Sequence, residues 1–364
     1  MNRDLHPASS SVSGISLPRR SLMLGAASFS LAAGLGAGAL AWPASGHAAT
    51  PAVAYAQGSI DPFFSAGYVA LALGLFDGLD VQYINSQSGP RTNQLLAAGQ
   101  AMFGATAATA APALSLAGKP AKLIFGFDRK LTYANVIARR ADVDAGHITR
   151  IKDLAGRRLG ATQPQSSTWL MAKFLTERAG VGSQVDIRPL GDLTTLLGAL
   201  KTGSVSAAMA SMTMMEQAVA EGWGAPLFDA TADADWDALM GGDVPGIAAY
   251  TLTDTIERQP DVVQAFVTGL TRAQDFITAH SATEIAETIH SRYLAAFDRT
   301  SVEKTLDLYK KTVFLPDNVI TPDAYARLTA IMGGNRQFSD AQIATVPYAT
   351  CVDMRFVRRA RGLA

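Results

Sequence analysis

The sequence predicts an α/β protein of two lobes, each an open, mostly parallel sheet flanked by helices, with a helical C-terminal tail packed on the first lobe. Short apolar runs alternate with helical spacing from Val53 to Leu252, which is typical of parallel βα units. A unit of helix end, glycine, short apolar strand and small or hydroxyl residue occurs twice, at Leu95–Ala107 and at Ala199–Ser211. The repeat indicates two related lobes.

The first lobe is predicted from residues 49–128, after an N-terminal segment that is not part of the fold. Its predicted strands are Val53–Gln57, Leu79–Ile84, Ala101–Phe103 and Ala121–Phe127, and its helices are Ala66–Phe76, the segment before Gly99, and Ala107–Leu116. The second lobe is predicted from residues 129–246. Its strands are Tyr133–Ala138, Arg158–Ala161, Val185–Arg188 and the end of the second repeat copy, and its helices are Lys152–Gly156, Trp169–Ala179 and Thr194–Lys201.

Residues 247–364 are predicted to return to the first lobe. Ile247–Leu252 is a predicted strand, and everything after it has helical spacing interrupted by proline. The predicted helices are Asp261–Ala279, Ala282–Ala295, Ser301–Lys310 and Pro322–Ile331. A tail without strands cannot extend a sheet, so we expect it to pack over the first lobe.

An export signal is predicted over residues 1–48. Arg19 and Arg20 precede a charge-free run, rich in Ala and Gly, that ends at Trp42, and small residues allow cleavage after Ala48. The arginine pair and the weak hydrophobicity of the run resemble a twin-arginine signal. An ordinary Sec signal and an uncleaved membrane anchor are the alternatives, although the Gly and Ala content makes a poor membrane helix.

Composition argues against several classes of function. The chain has 31 basic and 31 acidic residues, and residues 1–48 hold three Arg and one Asp, which leaves 28 basic and 30 acidic residues after them. That balance gives no basic surplus for nucleic acid. Cys351 is the one cysteine, so neither an internal disulfide nor a thiolate metal site can form. No histidines stand at ligand spacing after the signal, and we expect no metal and no cofactor.

The repeat also predicts where a ligand binds. Open parallel sheets bind ligands outside the carboxyl ends of their strands, and here each lobe has one such edge. Two chain crossings, near Phe127–Tyr133 and Val244–Tyr250, allow the edges to face each other across a cleft that closes by a hinge. The predicted hinge residues are Asp128, Tyr133 and Pro245.

The candidate ligand-binding residues follow the predicted strand ends. In the first lobe they are Asp61, Phe63, Phe64, Ser88, Arg91 and Thr106, and in the second lobe Ser166, Ser167, Thr168, Trp169, Ser211 and Thr213. Hydroxyls beside the free amides of a helix start suit an anion or a carbonyl, and aromatic rings suit a flat ligand. Helix capping would equally explain the serines, and packing would explain the aromatic residues. The methionines between Met209 and Met215 are expected to fill core.

Several motifs together resemble the periplasmic solute-binding proteins of ABC importers. These motifs are Asp61-Pro62-Phe63-Phe64, the Gly99–Gly104 turn and strand, and the stretch IKDLAGRRLG at Ile151–Gly160, where the family shows a Lys-Asp-Leu-x-Gly-Lys pattern. The branch that includes the nitrate, sulfonate, taurine and thiamine-pyrimidine-precursor binders is the most similar. The resemblance spans essentially the whole chain after the signal.

The resemblance implies a type II-like periplasmic-binding-protein fold. It implies a monomer in the periplasm that captures a small molecule and delivers it to a membrane permease driven by an ATPase. The family's ligand contacts correspond to Asp61–Phe64, Ser88, Thr106, Ser166–Thr168 and Ser211. Departures such as Ser206, where the family usually has Asp, leave the substrate open among sulfonate, nitrate, aromatic and pyrimidine-like solutes.

Three functional hypotheses remain at this point. An importer's binding component is preferred, with a ligand that has an aromatic or amphipathic body and an acidic group. An exported enzyme on the same fold, similar to thiamine-pyrimidine synthases or chorismate dehydratases, would need acid, base or metal groups, and the predicted cleft loops contain no His. A ligand-sensing subunit for a membrane receptor would use the same cleft and differ in its partner.

Overall fold

The computed structural model describes residues 52–334 and 338–363, and its two sheets confirm the two-lobed α/β fold. The predicted export signal lies outside these residues. The strands are β1 (Ala52–Gln57), β2 (Asp80–Asn85), β3 (Phe103–Ala107), β4 (Ala121–Gly126), β5 (Asn135–Arg139), β6 (Arg158–Ala161), β7 (Asp186–Pro189), β8 (Ala207–Ala210), β9 (Gly224–Phe228) and β10 (Ile247–Leu252).

The two sheets have equivalent strand orders. Lobe one contains the sheet β2-β1-β3-β10-β4, and lobe two contains the sheet β7-β6-β8-β5-β9. In lobe one, β10 runs antiparallel to β3 and β4, whereas β1 pairs in parallel with β2 and β3. In lobe two, β5 runs antiparallel to β8 and β9, whereas β6 pairs in parallel with β7 and β8. Each antiparallel strand is the first after the chain crosses between lobes.

Helices flank both sheets. Those before the return strand are α1 (Ser65–Ala72), α2 (Gly89–Ala97), α3 (Ala110–Leu116), α4 (Arg140–Asp144), α5 (Ser167–Arg178), α6 (Leu193–Lys201), α7 (Met212–Ala220) and α8 (Asp233–Met240). Those after it are α9 (Thr253–Arg258), α10 (Pro260–Ala279), α11 (Ala282–Ile289), α12 (Arg299–Thr312), α13 (Pro322–Gly334), α14 (Asp340–Ala344), α15 (Tyr348–Cys351) and α16 (Arg355–Ala360). Short 3-10 turns cover Pro62–Phe64, Thr132–Ala134, Ile151–Leu154 and Gly182–Gln184, and a π turn covers His290–Leu294.

The two repeat copies occupy equivalent places in the lobes. One runs from the end of α2 into β3 and the other from the end of α6 into β8, and both strands are third in their sheets. Gly99 and Gly203 have positive φ angles of 69° and 78°, as the sequence predicts for left-handed helix ends. Gln100 N donates to Leu95 O at 2.8 Å, and Ser204 N donates to Ala199 O at 2.9 Å. The same backbone bond therefore closes both helices.

The C-terminal helices pack mainly on lobe one. Helix α10 contacts α1, and α15 and α16 contact β4. The ring of Phe266 on α10 stacks on Phe103 of β3 at 3.9 Å and on Phe76 at 5.1 Å. Burial of one such ring stabilises the fold by about 1.5–3 kcal/mol. Helices α12 and α13 also contact α7 and α5 of lobe two, so the tail bridges the lobes as well as covering lobe one.

Both chain crossings lie side by side at the predicted hinge. Asp128 is fully buried, and its Oδ1 accepts hydrogen bonds from Gly246 N at 2.7 Å and Ile247 N at 2.8 Å. Val244 N donates to Arg129 O at 3.0 Å. One crossing is therefore bonded directly to the other. Within the part of the chain that the structure describes, no helix has the length and apolarity to span a bilayer.

The predicted elements differ from the observed ones in identifiable places. The bounds of β6 and β10 match the prediction, but β3 lies at Phe103–Ala107 instead of Ala101–Phe103, so Thr106 lies within the strand. Small residues such as Gly104 and Ala105 have low strand propensity, which hid the strand. The edge strand β9, which contains Pro226, was not predicted either.

Candidate functional site

A small cavity lies where the carboxyl ends of the parallel strands in both lobes meet. This inner pocket has a volume of about 40 Å³. Lobe one supplies Ser59, Phe63, Phe64, Gln87, Ser88 and Thr106 to its lining, and the lobe-two side supplies Tyr133, Thr162, Ser166, Ser167, Thr168 and Leu193. Eight of the residues that the sequence predicted for the ligand site or the hinge thus line one pocket: Phe63, Phe64, Ser88, Thr106, Tyr133, Ser166, Ser167 and Thr168.

The N-cap serine of α2 lines the inner pocket. Ser88 is the N-cap residue of α2, yet its side chain makes no capping hydrogen bond. Its side chain is buried, and Ser88 Oγ has no hydrogen-bond partner among the described residues. Buried hydroxyls almost always have partners, and an N-cap serine normally bonds to its own helix. The capping explanation therefore fails for Ser88, whose hydroxyl is buried and has no partner among the described residues.

The start of α5 lines the same pocket from lobe two, but its hydroxyl groups have hydrogen-bond partners that Ser88 lacks. Ser166 Oγ caps the helix by accepting from Trp169 N at 3.2 Å. Thr162 Oγ1 lies 2.8 Å from Ser166 Oγ and 2.7 Å from Thr168 Oγ1, so these three buried hydroxyls bond to one another. Ser167 lines the pocket together with Tyr133. Capping thus accounts for Ser166, and Ser167, the first residue of α5, also lines the pocket.

The two helix starts share a backbone feature that the sequence analysis missed. Gln87 and Gln165 have φ angles of 68° and 67°, in the left-handed region that residues other than glycine rarely adopt. Each directly precedes the N-cap serine of a helix, Ser88 or Ser166. Such conformations concentrate at binding sites because the surrounding structure must hold them. The Gln-Ser dipeptide before each of these helices is the sequence feature that could have indicated their shared backbone conformation.

Thr106 lies close to the backbone of the lobe-one loops. A Cβ added at Gly58 would lie 2.6 Å from Thr106 Oγ1, and one added at Gly89 would lie 2.9 Å from it. Both distances are shorter than a carbon atom tolerates. Glycine at these positions therefore lets the loops after β1 and β2 approach the Thr106 hydroxyl at the base of the pocket.

Aromatic rings form the apolar wall of the inner pocket. Phe63 and Phe64 meet edge to face with centroids 4.7 Å apart, and Phe64 also contacts Phe127 at 6.2 Å. Both are 1% exposed, and their turn contacts α12 of the tail. They are therefore packed in the core and also line the cavity. Burial raises the pKa of Tyr133 well above its usual value, which keeps its phenol protonated.

The chain shares this architecture with known proteins. Residues 61–283 match the profile of the family described as NMT1/THI5 like. The chain belongs to this family. The same match confirms the resemblance that the sequence motifs indicated. A search of curated protein sequences found no match.

Solved structures show the same fold at low sequence identity. A protein of Bordetella bronchiseptica RB50 is 23% identical, with a TM-score of 0.76 over 85% of this chain and 97% of that one. The ligand-binding component of an ABC-type import system from Staphylococcus aureus is 11% identical, with a TM-score of 0.67 over 85% and 99%. The alkanesulfonate-binding protein SsuA from Xanthomonas axonopodis pv. citri, solved with MOPS bound, is 14% identical, with a TM-score of 0.66 over 83% and 98%.

Three predicted site residues of this NMT1/THI5-like protein form a buried group that does not line the pocket. Asp61 caps the Pro62–Phe64 turn, and its Oδ1 accepts from Phe63 N at 3.2 Å. Ser211 and Thr213 of lobe two lie beside it, and all three are fully buried. Asp61 Oδ2 and Thr213 Oγ1 have no hydrogen-bond partner among the described residues. The group brings residues of both lobes together and lies outside the pocket lining.

Arg91 and Trp169 also lie outside the pocket lining. Arg91 is exposed on α2, and Trp169 is half-buried on α5, with Lys173 6.0 Å from its ring centroid. Both follow a helix start that faces the pocket, but side chains in the first turn of a helix point in different directions around its axis. Arg91 and Trp169 therefore stay sequence predictions that lie outside the lining of this pocket.

The inner pocket of this NMT1/THI5-like protein is bordered by the partial charges of two helix starts but by no formally charged side chain. No Asp, Glu, Lys, Arg or His occurs among its described lining residues. Helix starts carry unpaired backbone N–H groups and the positive end of the helix dipole, and α2 and α5 bring one such start from each lobe. The arrangement suits a small group that accepts several hydrogen bonds, such as a carboxylate or a sulfonate.

Proposed function

We propose that this protein is the exported solute-binding component of an ABC importer and that it captures a small organic solute in the inner pocket. One observation carries the proposal. Two helix starts from different lobes converge on one cavity, and the buried hydroxyl of Ser88 at that cavity has no partner within the described residues. A ligand with an acceptor group would satisfy both helix starts and the hydroxyl together.

The same geometry supports a cleft that closes on the ligand. A solute in the inner pocket contacts Ser88 from lobe one and Ser167 from lobe two, so full contact requires both lobes together. Binding would favour the closed arrangement by the difference in affinity between the two states. The paired crossings held by Asp128 would serve as the hinge.

The remaining parts of the proposal follow from the sequence and from the relatives. Residues 1–48 would be a twin-arginine signal, lobe one would comprise residues 49–128 and 247–364, and lobe two would comprise residues 129–246. The mature protein would act as a periplasmic monomer and deliver its solute to a permease and an ATPase in the inner membrane. An importer subunit with this fold in Staphylococcus aureus supports these partners.

An enzymatic role finds less support in the pocket. Tyr133 is the titratable residue among the described lining residues, and burial raises its pKa well above its usual value. General acid or base catalysis near neutral pH requires a group that titrates close to that pH. Capture of a solute requires only the hydroxyls, amides and rings that the pocket contains.

A thermal-shift screen of residues 49–364 tests the proposed function. The panel contains alkyl and aryl sulfonates, nitrate, carboxylates, pyrimidines and thiamine precursors. A ligand at a hundred times its dissociation constant should stabilise the protein by about 2.7 kcal/mol. We expect hits within one chemical class. Failure of every compound on well-folded protein would contradict the proposal for these solutes.

The variant Ser167→Glu separates pocket binding from nonspecific stabilisation. A carboxylate beside the start of α5 would fill the small pocket and repel an acceptor group, so calorimetry should detect no binding of the screening hit. The control Ser183→Glu changes an exposed serine of the same lobe and should bind normally. Equal affinity of the two variants would place the ligand elsewhere.

A further inference from the structure

The carboxyl group of Asp61 is buried where lobe one, lobe two and the C-terminal tail meet. Asp61 caps the Pro62–Phe64 turn of lobe one, and α12 of the tail contacts both this turn and α7 of lobe two. Ser211 and Thr213, at the start of α7, lie beside Asp61. We call Asp61, Ser211, Thr213 and Tyr309 of α12 the junction, and all four residues are fully buried.

The junction buries polar atoms that the protein does not pair. Asp61 Oδ1 accepts one hydrogen bond, from Phe63 N at 3.2 Å. Asp61 Oδ2, Thr213 Oγ1 and Tyr309 OH have no partner among the described residues. Buried polar groups almost always have partners, because a group that leaves water without one loses free energy. Separation of the lobes would return these atoms to water, where each forms hydrogen bonds.

The charge state of Asp61 sets how strongly the junction resists that separation. A neutral carboxyl loses little when it is buried, whereas an ionised carboxylate without a cationic partner loses much more. Within the part of the chain that the structure describes, neither carboxyl oxygen of Asp61 has a basic partner. Burial accordingly raises the pKa of Asp61 to about 7. The group therefore changes charge close to neutral pH while the junction is closed.

Three other titratable residues lie in the elements around Asp61. Tyr68 of α1 accepts a hydrogen bond from Asp61 N at 3.4 Å, Tyr309 belongs to α12, and Asp128 lies in the first chain crossing. Burial raises the pKa of both tyrosines well above the usual value, so both phenols stay neutral near neutral pH. Burial also raises the pKa of Asp128, whose Oδ1 accepts two backbone hydrogen bonds. The first turn of α7, Met212–Met215, contains no titratable side chain.

We propose that the junction is a pH-sensitive latch, which holds the lobes together while the Asp61 carboxyl is protonated and releases lobe two when that carboxyl ionises. The carboxyl loses its proton to water, and no other covalent bond changes. The paired chain crossings allow lobe two to move without unfolding. The latch acts on the ligand-free protein, so it is a property additional to the proposed capture of a solute.

Proton linkage gives the direction of the effect and its pH range. An open junction exposes Asp61 to water, where its pKa returns toward 3.8, whereas the closed value is about 7. The closed arrangement therefore has its full advantage below about pH 4 and loses it as the pH rises through about 7. We expect the ratio of open to closed molecules to increase at least about tenfold between about pH 5 and about pH 8.

Small-angle X-ray scattering on ligand-free residues 49–364 tests the latch at these two pH values and at constant ionic strength. The radius of gyration should be larger at the higher pH and should return to its first value when the pH is lowered again. An unchanged far-ultraviolet circular dichroism spectrum would show that the lobes separate without unfolding. Asp61→Asn, which stays neutral, should keep the smaller radius at both pH values. The control Asp80→Asn changes an exposed carboxyl of lobe one and should open as the unmodified protein does.

Thr213→Val provides a second test if Asp61→Asn folds poorly. Valine has a shape close to that of threonine, but it replaces an unpartnered hydroxyl by an apolar group. The junction then becomes a poorer environment for a carboxylate, so the pKa of Asp61 in the closed arrangement should rise further. The radius of gyration of this variant should increase at a higher pH than that of the unmodified protein.

The scattering results support the latch or overturn it. A radius that increases with pH in the unmodified protein and in Asp80→Asn, but not in Asp61→Asn, supports it. An equal increase in Asp61→Asn overturns it, because another group such as Asp128 would then control the opening. A radius that is the same at both pH values in the unmodified protein also overturns it. None of these results depends on the outcome of the ligand screen, so the latch and the proposed function can fail separately.

Discussion

Asp61 is a carboxyl group whose surroundings favour its protonated form. Burial raises its pKa from 3.8 to about 7, against the opposing effect of the Phe63 N–H, which donates to Oδ1. Tyr309 from the tail lies near enough that the Asp61 charge raises the pKa of its phenol, after the larger effect of burial. Lobe one, lobe two and the tail therefore meet around one titrating group.

The pKa of Asp61 predicts a pH-dependent stability. Between the unfolded value near 3.8 and the folded value of about 7, the folded protein holds a proton that the unfolded chain releases. The free energy of unfolding should therefore fall as the pH rises from about 4 to about 7, and should level off above that range. The difference corresponds to about 4 kcal/mol as an upper figure.

Asp61→Asn tests this prediction by urea unfolding. Asparagine resembles the protonated carboxyl, so the variant should lack this part of the pH dependence and should exceed the unmodified protein in stability by about 1–3 kcal/mol at pH 8. Asp128 is also buried with a raised pKa, but it is present in both proteins and cancels in the comparison. Parallel curves for the two proteins would show that Asp61 is ionised in the folded state.

At the residue scale, the sequence predicted which residues follow a strand more reliably than it predicted which neighbours their side chains contact. Ser88 and Ser167 were assigned to the site because they follow strands, and both line the inner pocket. Asp61 was assigned on the same grounds, but it turns inward toward Ser211. Strand periodicity locates the loop along the chain, whereas the direction of a loop side chain depends on contacts with distant segments.

At the scale of secondary structure elements, the starts of α2 and α5 differ in how they use the same residue type. Ser166 caps α5, whereas Ser88 occupies the cap position of α2 without bonding to it. Gln87 and Gln165, which precede the two N-cap serines, both have a positive φ angle. The same backbone conformation is therefore compatible with a serine that caps its helix and with one that does not. Ser166 caps its helix, and Ser88 is the serine that we propose binds the ligand.

Alanine substitutions should separate these roles. Ser166→Ala removes a helix cap and should lower the free energy of unfolding by about 1 kcal/mol. Ser88→Ala removes a buried hydroxyl without a partner, so stability should change little, while affinity for the cleft ligand should fall roughly tenfold. Chemical unfolding and calorimetry on both variants provide the measurements. A loss of stability in Ser88→Ala equal to that in Ser166→Ala would show that Ser88 also serves the fold.

Long, strongly patterned elements were the most predictable. Helix α10 was expected at Asp261–Ala279 and lies at Pro260–Ala279, because its apolar residues recur at helical spacing and proline marks its first turn. The shorter α4 and α8 and the strand β9 were not predicted. Segments of this length carry little periodicity, and their structure depends on the sheet to which they pair or pack.

At the scale of the whole molecule, the repeat explains the position of the site. Strands β3 and β8 hold the same place in two sheets of equivalent order, so the carboxyl ends of both sheets can face one cavity. The antiparallel strands β10 and β5 follow the two crossings, and Asp128 bonds those crossings together. Two lobes joined by adjacent strands can rotate relative to each other without breaking either sheet.

The prediction for the whole molecule is that ligand binding closes the cleft between the two lobes. Under the proposed function, a ligand contacts both lobes only when Ser88 and Ser167 are brought together, so a saturating ligand should shift the population toward closed molecules. A shift from 1:99 to 99:1 requires about 10⁴-fold tighter binding to the closed state. Small-angle X-ray scattering on residues 49–364 should give a smaller radius of gyration with the ligand than without it. Ser167→Glu, which should not bind, should show no change under the same conditions. A saturated protein with an unchanged radius would mean that the ligand enters a cleft that is already closed.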